Sequence, residues 1–223
     1  MPIAFCVCVS QVNFVWTILT GVTAGFLPKL PGECPVEQAD FLRYVVGVLE
    51  GQGIVYMLVG SVASGAYGEP RFTRDIDIVA DLKSSHVSPF IRAFPTENFY
   101  VSEQAAQQAV QRRSQFNIIH PASGQKADII IARQDAWGRS QLARRVRTLL
   151  LPDLRGYAAS REDVILGKLW YFREGGSEKH LRDVAGIVTA SDTPIDHNYV
   201  QHWSGELGVR EAWATVLARL KTR

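Results

Sequence analysis

The chain has 223 residues, with 47% hydrophobic and 21% charged residues, which is typical of a globular protein and excludes a disordered or fibrous class. Its formal net charge of +2 excludes a bulk electrostatic attraction to nucleic acid but allows a local basic patch. All three cysteines, Cys6, Cys8 and Cys34, lie near the N-terminus, so the rest of the chain can hold neither a disulfide framework nor a thiolate metal site. This pattern predicts a reducing, cytoplasmic compartment.

Residues 1–35 differ in composition from the rest of the chain. From Pro2 to Pro28 there is no charged residue, and the segment is long enough to cross a bilayer, which needs about 20 apolar residues. Three interpretations stay open: a membrane anchor, an extension outside the native protein caused by a misplaced start, and an extra element packed on the domain. If residues 2–28 are a genuine anchor, the protein is held at the inner membrane with its domain in the cytoplasm.

The remaining sequence predicts strands in its middle and helices at its end. Apolar residues at helical spacing predict a helix over 36–53, and a buried strand follows over 54–60. Small residues over 61–68 predict a short helix, and 73–82 is rich in Ile and Val, which is typical of a strand. The further predictions are helix over 84–113 interrupted at Pro89 and Pro95, a strand hairpin over 114–120 and 126–133, and helices over 135–146, 161–174, 178–190, 196–207 and 210–221.

This order of elements predicts an α+β fold, in which a small mixed β-sheet core with flanking helices is followed by a C-terminal helical bundle. The expected organisation is an apolar extension over 1–35, a core over 36–155 and a helical subdomain over 156–223.

Two aspartates interrupt the second predicted strand. Asp75 and Asp77 lie on the same face because strand side chains alternate, and a rise of about 3.3 Å per residue places their Cα atoms roughly 6.6 Å apart. Unpaired carboxylates this close would raise each other's pKa and cost stability, whereas a divalent cation removes the conflict. Asp128 is a third aspartate in an Ile-rich strand, and it joins the pair if the two strands are neighbours. Three such carboxylates suit Mg²⁺ holding a triphosphate, although an isolated Asp-x-Asp is more often a solvated edge or a salt-bridged pair.

A Gly-Ser pair precedes the aspartates. Gly60 and Ser61 open the short predicted helix, whose N-terminal amides and small side chains would let phosphate oxygens approach closely. The combination predicts a metal and phosphate site.

The spacing of these residues resembles the signature of the nucleotidyltransferase superfamily that includes DNA polymerase beta. The sequence has Gly-Ser at 60–61, a gap of thirteen residues over 62–74, and Asp-Ile-Asp at 75–77. More closely, three blocks resemble the minimal nucleotidyltransferases related to AbiEii-type toxins, and the resemblance covers about residues 36–220. The blocks are YMLVGSVASGAYGEPRFTRDIDIVADL, FNIIHPASGQKADIIIAR and SREDVILGKLWYFREGGSEKHLRDVAGIV.

The resemblance implies a site, its cofactors and its partners. The site residues it implies are Asp75 and Asp77 as metal ligands, Asp128 as a third carboxylate acting as ligand or base, Gly60 and Ser61 at the triphosphate, and Lys168 and Asp183 from the helical half. It implies two Mg²⁺ ions, an NTP substrate such as ATP, and transfer of an NMP to an acceptor hydroxyl with release of pyrophosphate. The acceptor is expected to be tRNA, other RNA or a protein, and a toxin would have a cognate antitoxin as partner.

Three charged residues of the site have alternative interpretations. Lys168 lies on an apolar stripe, where it either binds an anion or extends its ammonium group to solvent. Asp183 either orients Lys168 or an arginine, or pairs with Lys179. Arg74, next to the metal strand, either contacts nucleotide phosphates or lies in a solvated loop.

The rival to an enzyme is a non-catalytic nucleotide-binding or regulatory module with the same fold. The sequence has no Gly-x-Ser-x-Gly elbow, no phosphate-binding loop of the Gly-x-x-x-x-Gly-Lys-Ser/Thr type and no complete dinucleotide fingerprint. Hydrolase, P-loop and Rossmann functions are therefore excluded.

Overall fold

The computed structural model describes residues 37–67, 75–190 and 194–221. The predicted apolar extension and Arg74 lie outside these residues. The strands are β1 (Tyr56–Leu58), β2 (Asp75–Ala80), β3 (Tyr100–Val101), β4 (Gln115–His120), β5 (Gln125–Ile131), β6 (Val146–Leu151) and β7 (Leu154–Ala158). The helices are α1 (Gln38–Gly51), α2 (Gly60–Tyr67), α3 (Ser84–Arg92), α4 (Glu103–Arg112), α5 (Ala136–Arg144), α6 (Arg161–Gly175), α7 (Glu178–Thr189), α8 (His197–Glu206) and α9 (Arg210–Lys221).

The strands form one mixed sheet in the order β3-β4-β5-β2-β1-β7-β6. At its centre β2 runs parallel to β5 and antiparallel to β1. The predicted hairpin of β4 and β5 is confirmed, with Phe116 opposite Ile129 in the antiparallel register. The edge of β5 that faces away from β4 therefore pairs with β2, which carries the two aspartates.

Each face of the sheet is covered by a different set of helices. Ile76 and Ile78 of β2 are fully buried and belong to the core that includes apolar residues of α1, α3 and α4. Met57 of β1 and Ala158 of β7 instead join the core of the C-terminal helices, together with Leu169 of α6. The predicted α+β fold, with a helical C-terminal region, is confirmed.

Two local features differ from the sequence prediction. Pro89 lies inside α3 instead of interrupting it, because the buried side chains of Val87 and Phe90 hold this short helix on the sheet despite the missing N–H. The β6–β7 hairpin was not predicted, because β6 is an edge strand without a regular alternation of buried and exposed residues. β7 pairs in parallel with β1 at Ala158, so the sheet continues up to the first C-terminal helix.

Across residues 37–67, 75–190 and 194–221, no helix has the length and apolar character required to cross a membrane.

Candidate active site

Neighbouring strands bring two of the predicted carboxylates face to face. In the parallel register of β2 and β5, Asp77 is paired with Asp128, and Asp75 is paired with Lys126. Because side chains alternate along a strand, these four residues lie on the face opposite the buried Ile76. The strand order, which the sequence alone left open, therefore places Asp128 beside Asp77.

A lysine lies between the carboxylates. Lys126 places its Nζ 3.1 Å from Oδ2 of Asp128 and 3.7 Å from Oδ1 of Asp75. Asn117, across the hairpin on β4, donates a hydrogen bond from Nδ2 to Oδ1 of Asp128. Lys126 was not predicted as a site residue from the sequence, although its position two residues before Asp128 on a strand places both on one face. The contact with Lys126 partly neutralises Asp128 and Asp75.

The surroundings of Asp77 disfavour its negative charge. Burial raises its pKa above the ordinary value, and the negative charges of Asp128 and Asp75 raise it further, against the opposing effect of Lys168 and Lys126. Such a carboxylate favours either a proton or a cation close by.

The phenol of Tyr171 also lies near the carboxylates. Burial raises the pKa of Tyr171, and the charges of Asp77 and Asp128 raise it further. Tyr171 is 48% exposed, so it marks the side of the site that opens to solvent.

The Gly-Ser turn lies against Asp77. Gly60 has φ +62°, in the left-handed region, and a Cβ atom placed on it would lie 2.0 Å from Oδ2 of Asp77. The turn is held on β2 by the backbone N–H of Val59, which donates to the carbonyl of Asp77 over 2.9 Å. Glycine is required here both for its backbone conformation and for the close approach of the carboxylate. Ser61 follows in the first turn of α2.

The helical half contributes a buried ion pair. Lys168 of α6 donates from Nζ to Oδ2 of Asp183 on α7 over 2.8 Å, and the side chains are 6% and 9% exposed. The predicted anion for Lys168 is thus supplied by Asp183. The alternative in which Lys168 extends to solvent is wrong.

One cavity of about 530 Å³ connects these groups. The predicted site residues that line it are Gly60, Ser61, Asp77, Asp128 and Lys168. The cavity lies between the sheet and the helices α5 and α6, which supply further lining residues. The other two predicted residues that the structure describes, Asp75 and Asp183, are not among the lining residues. Asp183 is paired with Lys168, and the side chain of Asp75 is 52% exposed.

In the part of the chain that the structure describes, no three or more His, Cys, Asp or Glu side chains form a group that could hold a metal ion. The expected trio is divided because Lys126 lies between Asp75 and Asp128. The two carboxylates that lie opposite each other and could share a metal ion are those of Asp77 and Asp128. This set suits Mg²⁺, which usually binds through one or two carboxylates together with waters and substrate phosphates.

A further carboxylate of the cavity, Asp163, lies in the first turn of α6. Ser160 caps this helix, since the N–H of Asp163 donates to Oγ of Ser160 over 3.2 Å. The Asp163 side chain also accepts hydrogen bonds from Ser160 and from Tyr199, over 2.7 and 2.9 Å. Burial nevertheless raises the pKa of Asp163, against the hydrogen bonds from Ser160 and Tyr199 and the charge of Arg144.

No protein-family model and no curated protein matches the chain. Solved structures do match it, and they identify its fold. The crystal structure of ANT(2'')-Ia in complex with adenylyl-2''-tobramycin matches with a TM-score of 0.54 and 12% identity, over 78% of this chain and 98% of that chain. The solution structure of the antibiotic-resistance factor ANT(2'')-Ia matches with a TM-score of 0.51 and 12% identity, over 83% and 95%. The chain has a nucleotidyltransferase fold.

A third neighbour is the lincosamide antibiotic adenylyltransferase LnuA bound to lincomycin, with a TM-score of 0.48 and 17% identity over 71% of this chain and 100% of that chain. The two ANT(2'')-Ia matches, at 12% identity, show the fold and not the substrate. The closer resemblance to AbiEii-type toxins stays a prediction.

Proposed function

We propose that the protein is a Mg²⁺-dependent nucleotidyltransferase that moves an NMP from an NTP to an acceptor hydroxyl and releases pyrophosphate. The observation that carries this proposal is the convergence of Asp77, Asp128, Gly60 and Lys168 on one cavity. The carboxylates lie on the neighbouring parallel strands β2 and β5, the glycine turn follows the adjacent strand β1, and the lysine lies on α6 in the helical half.

The side chains of the site fit a divalent cation. Asp77 and Asp128 are paired across the strands, and burial together with the neighbouring carboxylates raises the pKa of Asp77. Mg²⁺ bound there would neutralise the carboxylates and polarise the phosphate oxygens of the nucleotide. We propose that Asp77 and Asp128 hold it, that Asp75 contributes at the open side, and that two ions are used.

The chain's own groups then divide the work of the reaction. The N-terminal amides of α2, after Gly60 and with Ser61, hold the triphosphate, and the ammonium of Lys168 adds positive charge beside it. The acceptor oxygen attacks the α-phosphorus while the bond from that phosphorus to the bridging oxygen of the β-phosphate breaks, and pyrophosphate leaves. The proton of the acceptor hydroxyl passes to a carboxylate, for which Asp128 is the candidate. Positioning and charge neutralisation supply most of the rate enhancement in such reactions.

We propose RNA, tRNA in particular, as the acceptor, with a protein hydroxyl as the other possibility. Arg113 and Arg133 line the same cavity, and their guanidinium groups suit a polyanion. The resemblance to AbiEii-type proteins supports a cytoplasmic toxin that a cognate antitoxin neutralises. Growth arrest on expression, absent when Asp77 is replaced by asparagine, would support that role.

The test of the chemistry is incorporation of label. The protein is incubated with each of the four labelled NTPs, Mg²⁺ and total cellular RNA, and the labelled macromolecule is then identified. We expect Asp77→Asn to reduce incorporation by at least about a thousandfold, a loss of about 4 kcal/mol in transition-state stabilisation, without unfolding the protein. The matched control is Asp81→Asn, because Asp81 follows the same strand and does not line the cavity.

Two results would contradict the proposal. If Asp77→Asn retains full incorporation, the carboxylate pair does not carry the chemistry. If the wild-type protein binds NTP but labels neither RNA nor protein, it is the non-catalytic nucleotide-binding module instead.

A further inference from the structure

The cavity extends beyond the carboxylates along the sheet. Val79 of β2 and Ile130 of β5 line it, each two residues beyond an aspartate on the same face of its strand. A rise of about 3.3 Å per residue places them roughly 6.6 Å from Asp77 and Asp128 along the strands. The floor of the cavity therefore changes there from acidic to apolar.

An aromatic side chain and a buried amide from α5 also line the cavity. Trp137 and Gln141, four residues apart on α5, both line it and are 7% and 8% exposed. Trp137 stacks on Trp170 of α6, with ring centroids 6.3 Å apart and planes inclined by 24°. This packing fixes the indole as a wall of the cavity.

Gln141 is nine-tenths buried, and its side-chain amide forms no hydrogen bond with any other residue that the structure describes. An amide that lines a cavity and has no partner within the protein is available to pair with a ligand that enters the cavity. The amide offers one acceptor oxygen and two N–H donors side by side. That pattern complements the edge of a nucleobase, and glutamine is a known bidentate partner of adenine.

We propose that Gln141 recognises the base of the incoming nucleotide and sets the preference among NTPs, with Val79, Ile130 and Trp137 enclosing the ring. This inference rests on the proposed function, because it assumes that the phosphates lie at Gly60. The enclosed position of Gln141 favours a mononucleotide over a polymer. A polymeric acceptor would enter on the open side, where Tyr171 and Asp75 are exposed.

The experiment measures binding and does not need turnover. Isothermal titration calorimetry with Mg²⁺ and non-hydrolysable analogues of the four NTPs gives four dissociation constants for each variant. The wild type is expected to prefer one base by about 10- to 100-fold, the discrimination of one good bidentate contact. Gln141→Leu keeps the size of the side chain and is expected to reduce this preference to less than threefold, while leaving the affinity for inorganic triphosphate unchanged.

The matched control is Gln201→Leu, which makes the same change at an exposed position on α8 and is expected to keep the full preference. Gln141→Asn retracts the amide by one methylene and is the second test variant if Gln141→Leu does not fold. Gln141→Asn is also expected to lose the preference among the four NTP analogues.

The outcomes separate the two proposals. If neither inorganic triphosphate nor any NTP analogue binds the wild type, the proposed function fails and base recognition fails with it. If triphosphate binds but the wild type binds the four bases equally, or the preference survives in both Gln141 variants, only the base recognition is refuted.

Discussion

Replacing Gly60 by alanine should separate the stability of the fold from the geometry of the site. Gly60 has φ +62°, and an added Cβ would lie 2.0, 2.8 and 3.1 Å from Oδ2, Cγ and Cβ of Asp77. Ordinary contacts of a Cβ begin at 3.4 Å, so Oδ2 alone must move by 3.4 − 2.0 = 1.4 Å. Rotation of the Asp77 side chain can move Oδ2 by this distance, and we expect it to turn the carboxylate away from its position opposite Asp128. The contact with Cβ at 3.1 Å requires a small shift of the backbone as well.

The two effects have different sizes. A non-glycine residue in the left-handed region costs about 1–2 kcal/mol, which in a protein of this length lowers Tm by about 2–8 °C. A misplacement of about 1 Å in a reacting constellation can cost about a hundredfold in rate. We therefore expect Gly60→Ala to lower the rate of nucleotide incorporation by a hundredfold or more while the protein stays folded.

Gly53 provides the matched control. It has φ +64°, and an added Cβ would meet nothing within 4 Å. Gly53→Ala should therefore lower Tm by a similar amount and keep full incorporation activity. Thermal unfolding and incorporation of labelled NMP are measured on both variants. Equal activities in the two variants would refute the reasoning that the contact with Asp77 matters.

Two further predictions concern buried charges. Lys168→Met should lower the free energy of unfolding by about 3–5 kcal/mol in urea titrations, because the buried carboxylate of Asp183 loses its ammonium partner. Adding Asp183→Leu should restore most of that loss, and a loss below about 1 kcal/mol in Lys168→Met would show that the pair contributes little. The pKa of Asp163 is raised in the folded state, so the folded protein binds this proton more tightly than the unfolded chain does. The contribution of Asp163 to stability therefore falls as pH rises from about 3.9 to the folded-state pKa, and it is constant above that pKa. Asp163→Asn should therefore gain stability relative to the wild type across that window in urea titrations, and a difference independent of pH would contradict the assigned shift.

The sequence predicted those elements whose periodicity is undisturbed. The amphipathic α1, the Ile-rich β2 and β5, and the four C-terminal helices each carry a regular apolar pattern, and each is present near its predicted bounds. The β6–β7 hairpin was missed, because Val146 and Leu149 are exposed on an edge strand and the burial pattern does not alternate. Sequence periodicity predicts burial, so an element whose burial is irregular leaves no periodic signal.

The candidate site was predictable only where one strand or one helix start carried the pattern. Asp75 and Asp77 are two residues apart on a single strand, so their shared face follows from the sequence. The pairing of Asp77 with Asp128 depends on the parallel register of β2 and β5, which the sequence does not encode locally. Gln141 had no signal at all, because glutamine is common on exposed helix faces and only the packing of α5 buries it.

The arrangement of charges explains why the two paired aspartates are not equivalent. Asp128 has an ammonium group 3.1 Å away and a hydrogen bond from Asn117, so the protein itself supports its negative charge. Asp77 lies against the Gly60 turn, and the pKa of Asp77 is raised by burial and by its acidic neighbours. The ammonium of Lys168, which could compensate it, is engaged with Asp183. Under the proposed function, Asp77 is therefore the carboxylate that a bound cation would stabilise most, beside the glycine turn that is proposed to hold the phosphates.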